Sequence, residues 1–202
     1  MELFLYGFII GIAISAPVGS VGICIVHKVM TKGKNPAFFI ALGSLTVDTL
    51  FGIIALFSLQ AINTIIVENN KILGLVSGII LIYVSIKIFF AKTQEDIKYD
   101  NIDTRIKDFG IGFILTITNP ITAIAILGLL AWFGVGNNKI SFFPSTILIL
   151  GLITGLVFWW STLIKLAFYF KNKIKINSLK IINQICGSVI FVLAILVLFR
   201  VL

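Results

Sequence analysis

Six long apolar stretches dominate this chain and restrict it to a membrane-spanning fold. They cover residues 3–26, 37–58, 72–91, 109–134, 142–170 and 181–199. Each is near or above the ~20 residues that a helix needs to cross a bilayer. Only 12% of the residues are charged, whereas about 25% are charged in soluble domains. The mean hydropathy of +1.13 agrees, and we predict an all-α polytopic membrane protein with six transmembrane helices.

The basic residues flank these stretches, so the net charge of +8 indicates membrane orientation rather than nucleic-acid binding. Thirteen of the 16 lie in or beside the first, third and fifth connections, and lysine and arginine favour the cytoplasmic side. The bias predicts that both termini are extracytoplasmic. Lys165, near the end of its stretch, either reaches the cytoplasmic surface or contacts a substrate carboxylate.

Two of the apolar stretches carry a proline near the middle. Because proline has no N–H group, Pro17 leaves the Ala13 carbonyl without its helical partner, and Pro120 does the same to Thr116. Such a break is tolerated at membrane depth where it faces protein or a polar cavity. Paired broken helices in the two halves of a chain indicate the binding site of a transporter.

The two broken helices also suggest an internal repeat. A shift of 103 positions superposes Gly7 on Gly110 and Pro17 on Pro120. Three helices per half is an odd number, so the second half would enter the membrane from the opposite side. The sequence therefore predicts two inverted three-helix repeats.

We expect the whole chain, residues 1–202, to form a single transmembrane transporter domain. Repeat one would cover about 1–91 and repeat two about 109–202. The connection between them, 92–108, mixes acidic and basic residues and is predicted to be a solvated cytoplasmic loop.

Asp48 is an acidic residue about midway along the second stretch. A charge at the membrane centre costs at least ~2.5 kcal/mol, so it usually has a partner or faces a water-filled cavity. Ser44 lies one helical turn earlier on the same face. Asp48 is either a protonated acid bonded to a freed carbonyl or a proton-titrating, cation-binding carboxylate.

Further polar residues lie beside the two prolines. Thr118 and Asn119 precede the second proline, and Asn119 could hold either an unwound carbonyl or a polar group of the substrate. Ser15 and Gly19 flank the first proline, and Gly19 could expose backbone to a substrate. The predicted substrate and coupling site comprises Asp48, Asn119, Pro17, Pro120, Ser15, Gly19, Thr118 and Ser44.

Small residues recur every four positions on several helices. Gly7 and Gly11 form such a stripe on the first helix, and Gly151 and Gly155 form one on the fifth. Small residues let helix backbones approach closely in lipid. The stripes predict close helix packing and would also suit a homodimer.

Four sequence features follow one another along the chain. They are Gly7-x3-Gly11-x5-Pro17-Val18-Gly19, a basic loop from Lys28 to Lys34, Gly43-x4-Asp48, and Asn119-Pro120 after Gly112-Phe113. Their order and spacing resemble the lysine exporter (LysE/RhtB) family over nearly the whole chain. The resemblance implies a small exporter of amino acids or related metabolites in the bacterial plasma (inner) membrane, driven by a proton or cation gradient.

The sequence departs from that family in two places. The family often has Pro-Gly-Pro in its first helix, where this chain has Pro17-Val18-Gly19. It often has lysine after the Asn-Pro pair, where this chain has Ile121. Both changes lie in the presumed binding region, so the resemblance indicates an exporter without specifying lysine.

Other functions have less support in the sequence. A heavy-metal or other cation exporter needs clustered ligands, and Cys24 with His27 provides too few. A thiol electron carrier needs one matching cysteine in each half, but Cys24 maps to Leu127, and Cys186 lies in the sixth stretch. A structural membrane protein would not explain Asp48. No nucleophile–base pair or phosphate loop indicates an enzyme, and we expect no cofactor.

Overall fold

The structure, a computed structural model, contains helices and no strands among the residues that it describes. These are residues 2–17, 19–61, 70–90, 105–133, 135, 142–170 and part of 181–198. The helices are α1 (Glu2–Ser15), α2 (Ser20–Lys32), α3 (Lys34–Ala61), α4 (Asn70–Phe89), α5 (Arg105–Ile117), α6 (Pro120–Trp132) and α7 (Phe142–Tyr169). Further helical residues occur at intervals from 181 to 198.

Within the described ranges, two helices are long and apolar enough to cross a membrane. They contribute Lys34–Leu59 and Phe143–Tyr169, and the total rises to four spans if each bent helix pair counts as one. α4 contributes a shorter apolar segment, Gly78–Phe89. The predicted sixth span, 181–199, is described only in part, and the residues described there are helical. The apolar helical class is therefore confirmed, with two to four candidate spans.

Each predicted broken helix is two separate helices. α1 and α2 meet at 73°, and α5 and α6 meet at 64°, so each pair is either one broken span or a re-entrant loop. At the first break Gly19 is extended, with φ −76° and ψ −162°. At the second break Asn119 is extended and Pro120 opens α6. Proline disfavours helical geometry in the residue before it and suits the first position of a helix.

The expected basic loop from Lys28 to Lys34 is not a loop. Lys28 lies inside α2 with 3% of its surface exposed, and its Nζ is 2.6 Å from Oδ1 of Asp108. Only Gly33, at a φ of +92° that favours glycine, separates α2 from α3. The predicted loop 92–108 also ends early, because α5 begins at Arg105; residues 92–104 lie outside the described ranges.

The glycine stripes pack α1 directly against α7. A methyl group on Gly7 would collide with the backbone carbonyl oxygen of Leu148, and one on Gly11, Gly151 or Gly155 would collide with the backbone of the facing helix. Backbone contact of this kind is what small residues permit in lipid. These stripes are therefore occupied within the chain, so they provide no support for a homodimer.

A second glycine contact joins α3 to α5. A methyl group on Gly43 would meet the carbonyl oxygen of Phe109, and one on Gly112 would meet that of Ile40. This contact fixes the middle of α3, which carries Ser44 and Asp48, against the helix that leads into the second break.

Candidate functional site

A cavity of about 140 Å³ lies between the two helix breaks. Side chains with polar groups border it from all seven helices and from the second break: Ser15, Ser20, Ser44, Asp48, Lys87, Thr116, Asn119, Thr122 and Trp160. One water needs only ~10–15 Å³ on the same measure. The cavity therefore has room for several waters or a small organic solute.

Asp48 is buried in the wall of this cavity, with 3% of its surface exposed. Ser44 donates a hydrogen bond to its Oδ2 over 3.2 Å. The other oxygen, Oδ1, is buried and has no hydrogen-bonding partner among the described residues. An unpartnered buried acceptor is costly, so this oxygen needs a hydrogen-bond donor that the described residues do not provide.

Two hydrogen-bonded hydroxyl groups connect Asp48 to α5, the helix that precedes the second break. The Thr116 and Ser44 hydroxyl oxygens are 2.9 Å apart, and Thr116 is also 2.9 Å from the Gly112 carbonyl oxygen. Each hydroxyl has one proton to donate. If Asp48 is charged, Thr116 can donate to Ser44 and Ser44 to Asp48. If Asp48 is protonated, donation can run the other way and end on the Gly112 carbonyl.

The first break contributes small residues to the cavity. Ser15 is buried and donates to the Gly11 carbonyl oxygen over 2.6 Å. Pro17 and Gly19 border the cavity as well. A Cβ atom on Gly19 would meet no atom within 4 Å. The absence of a side chain at Gly19 therefore leaves part of the space open.

The second break differs from its prediction in two respects. The Thr116 carbonyl is not free, because it accepts from the backbone N–H of Asn119 over 3.0 Å. Asn119 borders the cavity but uses Oδ1 to accept from the backbone N–H of Ile121 over 3.2 Å. It is thus the N-cap of α6, which satisfies an otherwise unpaired N–H group.

Two residues of the predicted cluster lie outside the cavity wall. Thr118 is exposed and donates to the carbonyl oxygen of Ile114 over 2.7 Å. Pro120 is exposed and opens α6. The structure therefore brings together Ser15, Pro17, Gly19, Ser44, Asp48 and Asn119.

Five side chains with polar groups at the cavity were absent from the predicted site. Thr116 was considered only for its carbonyl, and Ser20, Lys87, Thr122 and Trp160 were not included. All five border the cavity. Thr116 lies four residues before Pro120, and this spacing could have indicated that its side chain belongs to the site. Nothing in the sequence showed which way Lys87 and Trp160 face.

The residues considered as metal ligands for the alternative function do not cluster. Cys24 is buried in the core, whereas His27 is exposed. Across the described ranges, no three His, Cys, Asp or Glu residues come close enough to hold a metal ion. The Cys186 side chain lies outside the described residues. Lys165 is exposed and does not border the cavity.

Comparison with known proteins identifies the kind of protein that carries this cavity. The family model described as "LysE type translocator" matches residues 12–200, nearly the whole chain. The chain belongs to the LysE type translocator family. This translocator is therefore a membrane transport protein, and the resemblance seen in its sequence motifs is confirmed.

A curated relative comes from Bacillus subtilis (strain 168). This LysE type translocator is 25% identical to it over 207 residues, which cover 93% of this chain and 90% of the relative. The curated name of the relative is "Putative amino acid efflux protein YcgF". No solved structure matches the chain.

Proposed function

We propose that this translocator is a secondary-active exporter of amino acids or related small metabolites, driven by a proton or cation gradient. The observation that carries the proposal is Asp48, a buried carboxyl group with one unpartnered oxygen on a cavity between two helix breaks. Family membership and the name of the Bacillus relative support amino-acid export.

Asp48 is proposed as the coupling residue of an antiporter. Its hydrogen bonds to Ser44 and onward to Thr116 accommodate both a charged and a protonated carboxyl group. A proton and a substrate amine would compete for this single acidic group. Binding of one would then release the other, so that export of the substrate is linked to entry of the proton.

We propose that the two inverted repeats expose this site alternately to the two sides of the membrane. α3 and α7 both contain 28 residues, and each follows a bent helix pair. A twofold exchange of the halves would convert the α1–α7 contact into the α5–α3 contact. Gly7 and Gly11 then both match Gly112, since a methyl group on any of the three would meet a carbonyl of the opposing long helix. Gly110, which meets nothing within 4 Å, does not share this contact.

We further propose that the protein lies in a bacterial plasma membrane with both termini extracytoplasmic. Large apolar side chains that face outward, among them Ile54, Phe57, Leu150 and Phe158, suit contact with lipid. A homodimer would have to use such an outward face, because the glycine stripes are occupied within the chain.

The proposal is tested by export from intact cells. Cells expressing the chain or its Asp48→Asn variant are preloaded with a mixture of amino acids, and each amino acid is measured outside under an imposed proton gradient. We expect wild-type cells to lose one or more amino acids faster than cells with the variant. Equal loss from both would contradict the role of Asp48.

A heavy-metal exporter is the alternative outcome of the same experiment. If no amino acid leaves faster, the same cells are grown in a series of divalent metal salts. Metal tolerance that depends on the chain would replace amino-acid export with cation export as the function.

A further inference from the structure

Two buried polar atoms on the cavity residues have opposite hydrogen-bonding character. Oδ1 of Asp48 can only accept when the acid is charged, and Nε1 of Trp160 can only donate. Neither has a partner among the described residues. Both side chains border the cavity, with 3% and 6% of their surfaces exposed. A ligand that satisfies both needs a donor group and an acceptor group.

Lys87 adds a positive charge at the same cavity. It lies in the last turn of α4 and is exposed as a whole, although it borders the cavity. Its Nζ lies 5.7 Å from the centre of the Tyr83 ring. Within the described part of the chain, Lys87 and Asp48 are the two charged residues that border the cavity. The cavity therefore has a buried acid in its wall and an exposed lysine at its edge.

From this arrangement we infer that the cavity binds amino acids as zwitterions with uncharged, apolar side chains. The α-ammonium group binds Asp48, and the α-carboxylate binds Lys87 and Nε1 of Trp160. Charge-assisted hydrogen bonds of this kind are the stronger ones. The inference rests on the proposed amino-acid export and specifies the substrate class of that same site.

The rest of the wall discriminates against a third charge. Apart from uncharged hydroxyl and amide groups, it consists of apolar side chains, which include Leu81, Val84, Ala125 and Leu129. Asp48 is the one acid on the described wall, so the second ammonium group of lysine would have no partner. The second carboxylate of glutamate would likewise compete for Lys87. An unpaired charge in apolar surroundings is strongly unfavourable, so basic and acidic amino acids are excluded.

Competition for valine exchange tests this inference. The full-length protein is placed in liposomes preloaded with radiolabelled valine, and exchange is measured against external valine, leucine, lysine, glutamate or valinamide. Valinamide keeps the amine of valine and lacks its carboxylate. We expect leucine to compete like valine. Lysine, glutamate and valinamide should each need about tenfold higher concentration, which corresponds to ~1.4 kcal/mol.

Matched variants identify the carboxylate-binding groups. Lys87→Met and Trp160→Phe should raise the KM for valine and reduce the preference for valine over valinamide. Lys165→Met and Trp159→Phe are the controls, because neither residue borders the cavity. A loss of valine exchange in which the preference over valinamide is unchanged would overturn the role of Lys87 and Trp160.

The outcomes separate this inference from the proposed function. If lysine or glutamate exchanges as well as valine, amino-acid transport is real and the inferred substrate class is wrong. If none of the amino acids exchanges in liposomes or leaves cells, both proposals fail together.

Discussion

The hydroxyl oxygens of Thr116 and Ser44 lie 2.9 Å apart and join α5 to α3 beside Asp48. The two residues are 72 positions apart in sequence. Gly112 lies one turn before Thr116 and packs against the backbone of Ile40. The close approach of the two helices is therefore what allows the short threonine and serine side chains to meet.

Removal of the Thr116 hydroxyl should weaken gradient-driven transport. Thr116→Val keeps the shape of the side chain and ends the hydrogen bond to Ser44. One hydrogen bond contributes ~0.5–1.5 kcal/mol, so we expect a roughly two- to twelvefold loss of transport rate with normal expression. The control is Thr46→Val, since Thr46 donates to the Leu42 carbonyl and lies off the cavity. Equal rates in both variants would exclude a role for the Thr116 hydroxyl.

A methyl group at Gly112 should separate α5 from α3. Gly112→Ala would place its Cβ against the Ile40 carbonyl, whereas Gly110→Ala meets nothing within 4 Å. Alanine is otherwise favoured over glycine in a helix by ~0.5–1 kcal/mol. Thermal unfolding in detergent should show a lower Tm for Gly112→Ala and an equal or higher Tm for Gly110→Ala. The reverse order would contradict the packing of α5 on α3.

The buried ion pair should be sensitive to the loss of either partner alone. Lys28→Met leaves the Asp108 carboxylate buried without its cation, a change that costs ~3–5 kcal/mol in other proteins. Pairing Lys28→Met with Asp108→Leu removes both charges, and we expect it to recover most of the lost stability. Thermal unfolding of the two variants in detergent measures this. A double variant no more stable than Lys28→Met would show that the two side chains do not act as a pair.

A side chain at Gly19 should block the cavity and leave the fold intact. Gly19→Leu would extend into open space beside the first break, so we expect normal expression and at least a tenfold loss of transport. Gly110→Leu is the matched control, because Gly110 also has open space around it and does not border the cavity. Full transport by Gly19→Leu would mean that substrate does not use this part of the cavity.

Local features of the sequence were enough to predict the helix breaks and the Asp48–Ser44 pair. A proline changes the backbone within four residues of itself, and a four-residue spacing places two side chains on one helix face. The glycine stripes likewise predicted close helix packing, although not which helices would meet.

The features that the sequence could not provide depend on contacts between distant helices. In the sequence, Lys28 resembled an orientation signal. Its burial depends on an ion pair with Asp108, which lies at the start of a different helix and is distant in sequence. Trp160 and Lys87 come from helices that reach the cavity only after the bundle has formed. Tertiary packing decides which face of an apolar helix borders a cavity. When all faces of a helix are apolar, its sequence does not show which face that is.

The most direct test of Asp48 as the coupling residue compares transport with and without a proton gradient. Liposomes containing the wild-type chain or Asp48→Asn are loaded with a mixture of labelled amino acids, and efflux is measured with and without a pH difference across the membrane. We expect the gradient to accelerate efflux through the wild type and to have no effect on the variant. Equal acceleration in both would contradict the role of Asp48 in coupling.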